Sequence, residues 1–222
     1  MKILFVFLII STLIFGEEYK KDENKYLVRI LYGKASYSSF RDLVSFQDST
    51  RDEQRATLIG IQFENYLARD LWHERVDLTF FSGFLYHRQD IKVENGRYTQ
   101  PNELSGKDTY QLHGGIKIYW KSFPWNKYVR TRVGLGEGIS LVRDRLDIEL
   151  QNTNKEGEKS DAHILNYLDL NISFNLKDIT RWDKLEDYYI GGGISHRSGI
   201  FGSVSGVDGG SNYWTFFIEG EF

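Results

Sequence analysis

The chain has 222 residues, of which 41% are hydrophobic, 15% aromatic and 27% charged, with 21 Gly, only 2 Pro and a formal net charge of -3. That is too apolar and aromatic for a disordered chain and too rich in glycine for a helical bundle; the net negative charge argues against nucleic acid, whose binding needs a basic surface. With 0 Cys there is no disulfide, thiolate zinc site, cysteine nucleophile or lipidated N-terminal cysteine, and a mean hydropathy of -0.44 excludes a bundle of transmembrane helices but not a barrel with a polar interior.

Met1-Lys2 is followed by an apolar run over 3–15 and then by Gly16-Glu17-Glu18. One positive residue, a short apolar stretch and a small residue before acidic sequence predict a secretory signal peptide over 1–16. The run is shorter than the roughly 20 residues that span a bilayer. Ile14 fits poorly three positions before the cut, so the cleavage site stays open. The remainder, 17–222, is predicted to form a single domain, opening on a charged segment over 17–25.

From there the sequence alternates with period two, the signature of strands whose successive side chains point to opposite faces. Tyr26, Val28, Ile30 and Tyr32 give the first example, and Thr57, Ile59, Ile61 and Phe63 the second. Val76, Leu78, Phe80, Ser82, Phe84 and Tyr86 follow, then Tyr110, Leu112, Gly114, Ile116, Ile118 and Trp120. Val133, Leu135, Ile139 and Leu141 make a fifth strand. In the sixth, Ile164, Asn166, Leu168, Leu170, Ile172, Phe174 and Leu176 oppose Leu165, Tyr167, Asp169, Asn171, Ser173 and Asn175. Segments 188–198 and 212–222 complete eight strands. Many reach ten residues, which suits tilted membrane strands.

Three features favour an all-β, eight-stranded antiparallel transmembrane barrel of the Gram-negative outer membrane over a soluble sandwich or lipocalin-like barrel. Glu64, Lys117, Arg130, Arg132 and Asp169 fall deep within strands on the polar face, which a dry core does not tolerate unpaired. The connections over 36–54, 90–107, 143–162 and 200–211 are long, and those over 69–71, 124–127 and 180–186 are shorter, as expected for outer loops and periplasmic turns. The chain also ends on alternating Trp214, Phe216, Ile218, Gly220 and Phe222, like the assembly signal of such barrels.

With an even strand count both termini lie in the periplasm, and the seventh strand, 187–199, ends near the cell exterior. Its apolar set, Tyr188, Ile190 and Ile194, marks the even positions as lipid-facing, so His196 and Ser198 face lipid as well. Polar groups there are disfavoured and call for a reason. Positions i and i+2 lie about 6.5 Å apart at Cα, within reach for an imidazole to activate a hydroxyl.

The run Gly193-Ile194-Ser195-His196-Arg197-Ser198-Gly199, with Gly209-Gly210-Ser211-Asn212-Tyr213 and the terminal strand, resembles the lipid A 3-O-deacylase family over 188–222. The resemblance implies an eight-stranded outer-membrane barrel with a His-x-Ser motif on its seventh strand. It also implies Ser198 as nucleophile and His196 as general base. The family's third member is a Glu at the start of the last strand. Asn212 occupies that place by count and by parity, with Asp208 as the alternative source of charge. An Asn can orient an imidazole but does not stabilise imidazolium as a carboxylate does. The family's Asn after the serine is replaced by Gly199, and backbone N–H groups near Gly199 are the expected oxyanion donors.

Other polar residues read as structural. His73, His87, His113 and His163 lack metal-ligand spacing and suit rim or lumen positions. Arg130 and Arg132 are expected to pair in the lumen with Asp169, Glu64 or Glu219. Glu137 falls on an apolar face, and a bulge among Gly134, Gly136 and Gly138 is expected to turn it inward. Gly191-Gly192-Gly193 precedes no helix and is no phosphate loop.

The reading is a serine esterase that removes an ester-linked acyl chain from lipid A, the lipopolysaccharide anchor, in the outer leaflet. It implies no cofactor and no metal, and it leaves homodimerisation open. The alternatives are a non-catalytic structural or adhesive barrel and a small pore, although eight strands leave an interior filled mostly by side chains.

Overall fold

The computed structural model describes residues 26–36, 38, 40–45, 56–89, 106–144, 146–151, 162–200, 204–206 and 210–222. The expected signal peptide and the charged segment after it lie outside the described residues, as does Asp208. Eight strands follow in chain order: β1 (Tyr26–Ser36), β2 (Thr57–Asp70), β3 (Val76–Arg88), β4 (Thr109–Trp120), β5 (Thr131–Val142), β6 (Ile164–Asn175), β7 (Tyr188–Ser198) and β8 (Gly210–Glu221). Each pairs antiparallel with the next, and β8 returns to β1, so the sheet closes without an edge. Closure is what a bilayer demands, because lipid offers no partner for an unpaired backbone N–H or C=O. No helix among the described residues is long and apolar enough to cross a membrane; the strands cross it.

Burial is inverted relative to a water-soluble barrel. Ile30, Ile139 and Phe216 on the outer surface are each more than 60% exposed, whereas Glu64, Lys117 and Glu219 inside are fully buried. Exposed leucines, isoleucines and phenylalanines all around a closed sheet are stable only against lipid.

The middle of the interior is held by ion pairs of Arg29, Lys117 and Arg132 with Glu64, Asp169 and Glu219. Arg29 donates through Nε to Glu219 Oε2 at 2.9 Å and reaches Asp169 at 3.2 Å. Lys117 lies 2.7 Å from Glu64 and 2.6 Å from Asp169, and Arg132 pairs with Glu219. The Tyr119 hydroxyl donates to Glu64 at 3.0 Å. A cation removed from such a cluster leaves buried carboxylates uncompensated, at a cost of about 3–5 kcal/mol.

Two expectations are corrected. Arg132 does enter the lumen, but Arg130 does not: it precedes β5 and joins Asp178 at 2.9 Å and Glu186 at 3.6 Å on the periplasmic turns. β5 begins at Thr131, which leaves Arg130 just before the strand, at the rim. Glu137 does not turn inward. It pairs with Ile116 on one side and Leu168 on the other in unbroken registers, and its side chain is exposed on the outer surface. The glycines around it serve another purpose. Gly134 and Gly136 leave inner space for Tyr119, Asn171, Lys117 and Phe81, whose side chains lie where their Cβ atoms would be. The one register shift among these pairings falls between Tyr66 and Ala68, where β2 meets β3.

At the outer mouth, described residues of the connection after β5 pack into the barrel. The connection's short helix α2 (Asp147–Gln151), numbered after α1 (Phe40–Val44), follows Leu146. Leu146 and Ile148 join Leu31, Leu58, Leu85, Val142 and Phe217 in one buried apolar layer. Glu149 pairs with Arg197 of β7 and accepts the Ser211 hydroxyl at 3.0 Å. At the periplasmic end, α3 (Leu176–Thr180) is capped by Asn175, whose side chain accepts the Asp178 N–H at 3.2 Å.

Candidate functional site

The parity read from β7 holds in three dimensions. Ser195 and Arg197 are buried inside the barrel, Arg197 against Glu149 and Ser140, while His196 and Ser198 take the outer face. The end of β7 is therefore anchored from within by Arg197 and presents its polar pair outward, beside the extracellular loops.

On that outer face His196 stands directly opposite Asn212 of β8. His196 Nδ1 lies 2.6 Å from Asn212 Oδ1, and Asn212 Nδ2 donates to the Ser38 carbonyl at 2.8 Å. The two contacts fix the protons. The Ser38 carbonyl only accepts, so the Asn212 amide must turn its NH₂ toward it and its oxygen toward the imidazole. That oxygen only accepts, so His196 Nδ1 carries the hydrogen and Nε2 is left with the lone pair. A general base needs this tautomer.

The loop after β1 completes this arrangement. Ser36 pairs with Asn212 across the β1–β8 seam that closes the barrel, so the chain leaving β1 emerges beside the site. It supplies the Ser38 carbonyl and, at the start of α1, Phe40, whose ring stacks on His196 at 4.7 Å between centroids. Asn212 is only 5% exposed although it lies on the outer face, in keeping with this cover.

Ser198 lies two positions beyond His196 on the same face. Its Oγ accepts the Ile200 N–H at 3.0 Å, closing a tight turn in which Ile200 has a φ of 50°. No hydrogen bond joins Ser198 to His196 among the described residues. Gly199 follows the strand, and its carbonyl accepts the Val204 N–H at 2.8 Å. The backbone N–H that reaches the serine hydroxyl is that of Ile200.

The remaining histidines are dispersed. His87 and His113 are buried inside the barrel, against Tyr213 and Gln111 and against Gln62 and Tyr167 respectively. His163 bonds the Val142 carbonyl at the outer rim, and His73 sits in the periplasmic turn after β2. Among the described residues no group of His, Cys, Asp and Glu is arranged to hold a metal.

The sequence reading missed Ser38 and Phe40. Neither carries a local signal, because each acts on residues more than 150 positions away and only barrel closure brings them together.

No family model matches the chain, and no curated protein matches its sequence. Among solved structures it is similar to the outer membrane enzyme PagL, with a TM-score of 0.52 and 10% identity over 86% of this chain and 97% of that one. The N-terminal β-barrel domain of Pseudomonas aeruginosa OprF aligns over 90% of this chain and 98% of that one, with a TM-score of 0.42 and 7% identity. Closure, the apolar outer belt and the fold shared with the first of these make this chain an eight-stranded β-barrel of the Gram-negative outer membrane.

Proposed function

We propose that the protein is an outer-membrane serine esterase that removes an ester-linked acyl chain from lipid A. The observation that supports this reading is the chain of contacts from Ser38 through Asn212 to His196 on the lipid-facing side of the outer mouth, with Ser198 two residues away. A lipid-facing apolar belt has no structural need for an imidazole, a primary amide and a hydroxyl at neighbouring positions. A general base held in one tautomer next to a hydroxyl is what nucleophilic catalysis requires.

In this reading Ser198 leaves the Ile200 N–H and gives its proton to His196 Nε2 as Oγ adds to the ester carbonyl. The imidazolium then protonates the departing sugar oxygen, leaving an acyl-serine. A water molecule, deprotonated by His196, releases the fatty acid. Asn212 holds the ring by Nδ1. It lends no charge to the imidazolium, which implies slower turnover than a carboxylate in that place would support. The ester bonds of lipid A lie just below the headgroups, at the depth expected for the end of β7, and no aqueous pocket is needed.

A second reading is a non-catalytic barrel, and one observation favours it: Ser198 Oγ is occupied as the acceptor that closes the turn to Ile200. Mass spectrometry of lipid A from cells expressing the wild type or Ser198→Ala separates the two. Loss of one acyl chain with the wild type alone supports the esterase; unchanged lipid A with both supports the passive barrel.

A further inference from the structure

Asn166 of β6 stands directly opposite Ser198 on the outer face. Along β6 the inner positions Leu165, Tyr167 and Asp169 are buried in the lumen, which turns Ile164, Asn166 and Leu168 toward lipid. On its other side Asn166 is paired with Ile139 of β5, more than 60% exposed to the acyl layer. A primary amide among Ile139, Ile164 and Leu168 is costly unless its hydrogens find an acceptor. Three other strand asparagines have one: Asn175 donates to the Glu186 carbonyl at 2.6 Å, Asn171 to Asp169 at 3.1 Å, and Asn212 to the Ser38 carbonyl at 2.8 Å. The Asn166 side chain, half-buried, has no hydrogen-bond partner among the described residues.

We infer that Asn166 is a catalytic residue of this site: its side-chain N–H donates to the oxyanion formed on the substrate when Ser198 attacks. The inference rests on the reading of Ser198 as nucleophile. Opposed residues on one face of a strand pair have Cβ atoms about 4.5–5.5 Å apart. The oxyanion sits one carbon beyond Ser198 Oγ, and a donor is effective at about 2.7–3.1 Å from it. A side chain one bond longer than serine, one strand away, covers that span. The directions are also compatible. His196 approaches Ser198 along β7 and Asn166 approaches from β6, so the base and the electrophile do not compete for one space.

The step balances. Oγ forms its bond to the carbonyl carbon, the carbonyl π pair moves to oxygen, the serine proton passes to His196 Nε2, and Asn166 donates to the new oxyanion. On collapse the pair returns, the carbon–oxygen bond to the sugar breaks, and the leaving oxygen takes the proton from His196. Inside an acyl layer such a hydrogen bond is far stronger than in water.

The test uses the full-length barrel purified in detergent with lipid A as substrate, comparing wild type, Ser198→Ala, Asn166→Ala and Asn166→Asp. Folding of each is checked by the gel shift between unheated and boiled samples. The expected result is a fall in kcat of about 10²–10³-fold for Asn166→Ala with KM nearly unchanged, and a fall at least as large for Asn166→Asp, whose carboxylate repels the oxyanion. Wild-type kcat in folded Asn166→Ala, with Ser198→Ala inactive, overturns the role of Asn166 and leaves the esterase reading standing. Equal and negligible hydrolysis by wild type and Ser198→Ala overturns the esterase reading and this inference with it.

Discussion

Asn212 is the residue on which the proposed chemistry turns. Its amide is a two-ended clamp, donating to Ser38 and accepting from His196. Removing it frees the imidazole to flip and to change tautomer. A hydrogen bond to a group that becomes charged is worth about 1.5–3 kcal/mol. Asn212→Ala is therefore expected to lower kcat by about ten- to a hundredfold, with KM little changed because the amide meets no substrate atom. Steady-state kinetics on lipid A check this, and a wild-type kcat removes Asn212 from the site. Phe40 acts on the same ring by stacking. Phe40→Ala is expected to weaken the hold on His196 less than Asn212→Ala does, because a stacked contact is worth about 0.5–1.5 kcal/mol.

At the scale of elements, the barrel's two ends are fastened differently. The outer mouth is filled by the apolar residues of α2 and by the Glu149–Arg197 pair. The periplasmic end is clamped between turns. Asp178 of α3 accepts both the backbone N–H of Arg130 at 2.8 Å and its Nε at 2.9 Å, and these bonds hold the Asp178 carboxyl below its ordinary range. A carboxyl whose folded value is depressed stabilises the fold above its unfolded value and loses that contribution as pH falls through the folded one. The urea midpoint of wild type is thus expected to exceed that of Asp178→Asn at neutral pH, and the gap to shrink once pH falls below about 4. A gap independent of pH refutes the clamp.

For the whole molecule, the interior decides between a channel and a plugged cylinder. Arg29, Lys117 and Arg132 neutralise Glu64, Asp169 and Glu219 in the middle, and the apolar layer under α2 packs into the outer mouth. Planar bilayers containing the purified protein are expected to show no steady conductance, against the pore reading. Lys117→Ala leaves Glu64 and Asp169 short of a cation and is expected to cost about 3–5 kcal/mol, read as a lower urea or heat threshold on the gel-shift assay. A threshold equal to wild type contradicts the view that the ion pairs hold the cylinder.

Alternation along the chain was enough to determine the number of strands and which side chains of 188–198 face lipid, because pleating sends neighbours to opposite faces whatever the strand pairs with. It also placed Lys117, Asp169 and Glu64 inside, where a buried charge needs a partner of opposite sign. It failed at Arg130, since a period of two does not mark where a strand begins; at Glu137 the alternation holds, and only the inward-turning bulge is absent. Pairing was a matter for the tertiary structure alone. A slip of two residues preserves every face, so the sequence pattern is silent on register. The registers of β6 with β7 and of β7 with β8 set Asn166 against Ser198 and Asn212 against His196, and closure of β8 onto β1 sets the Ser38 carbonyl over a residue 174 positions further along the chain.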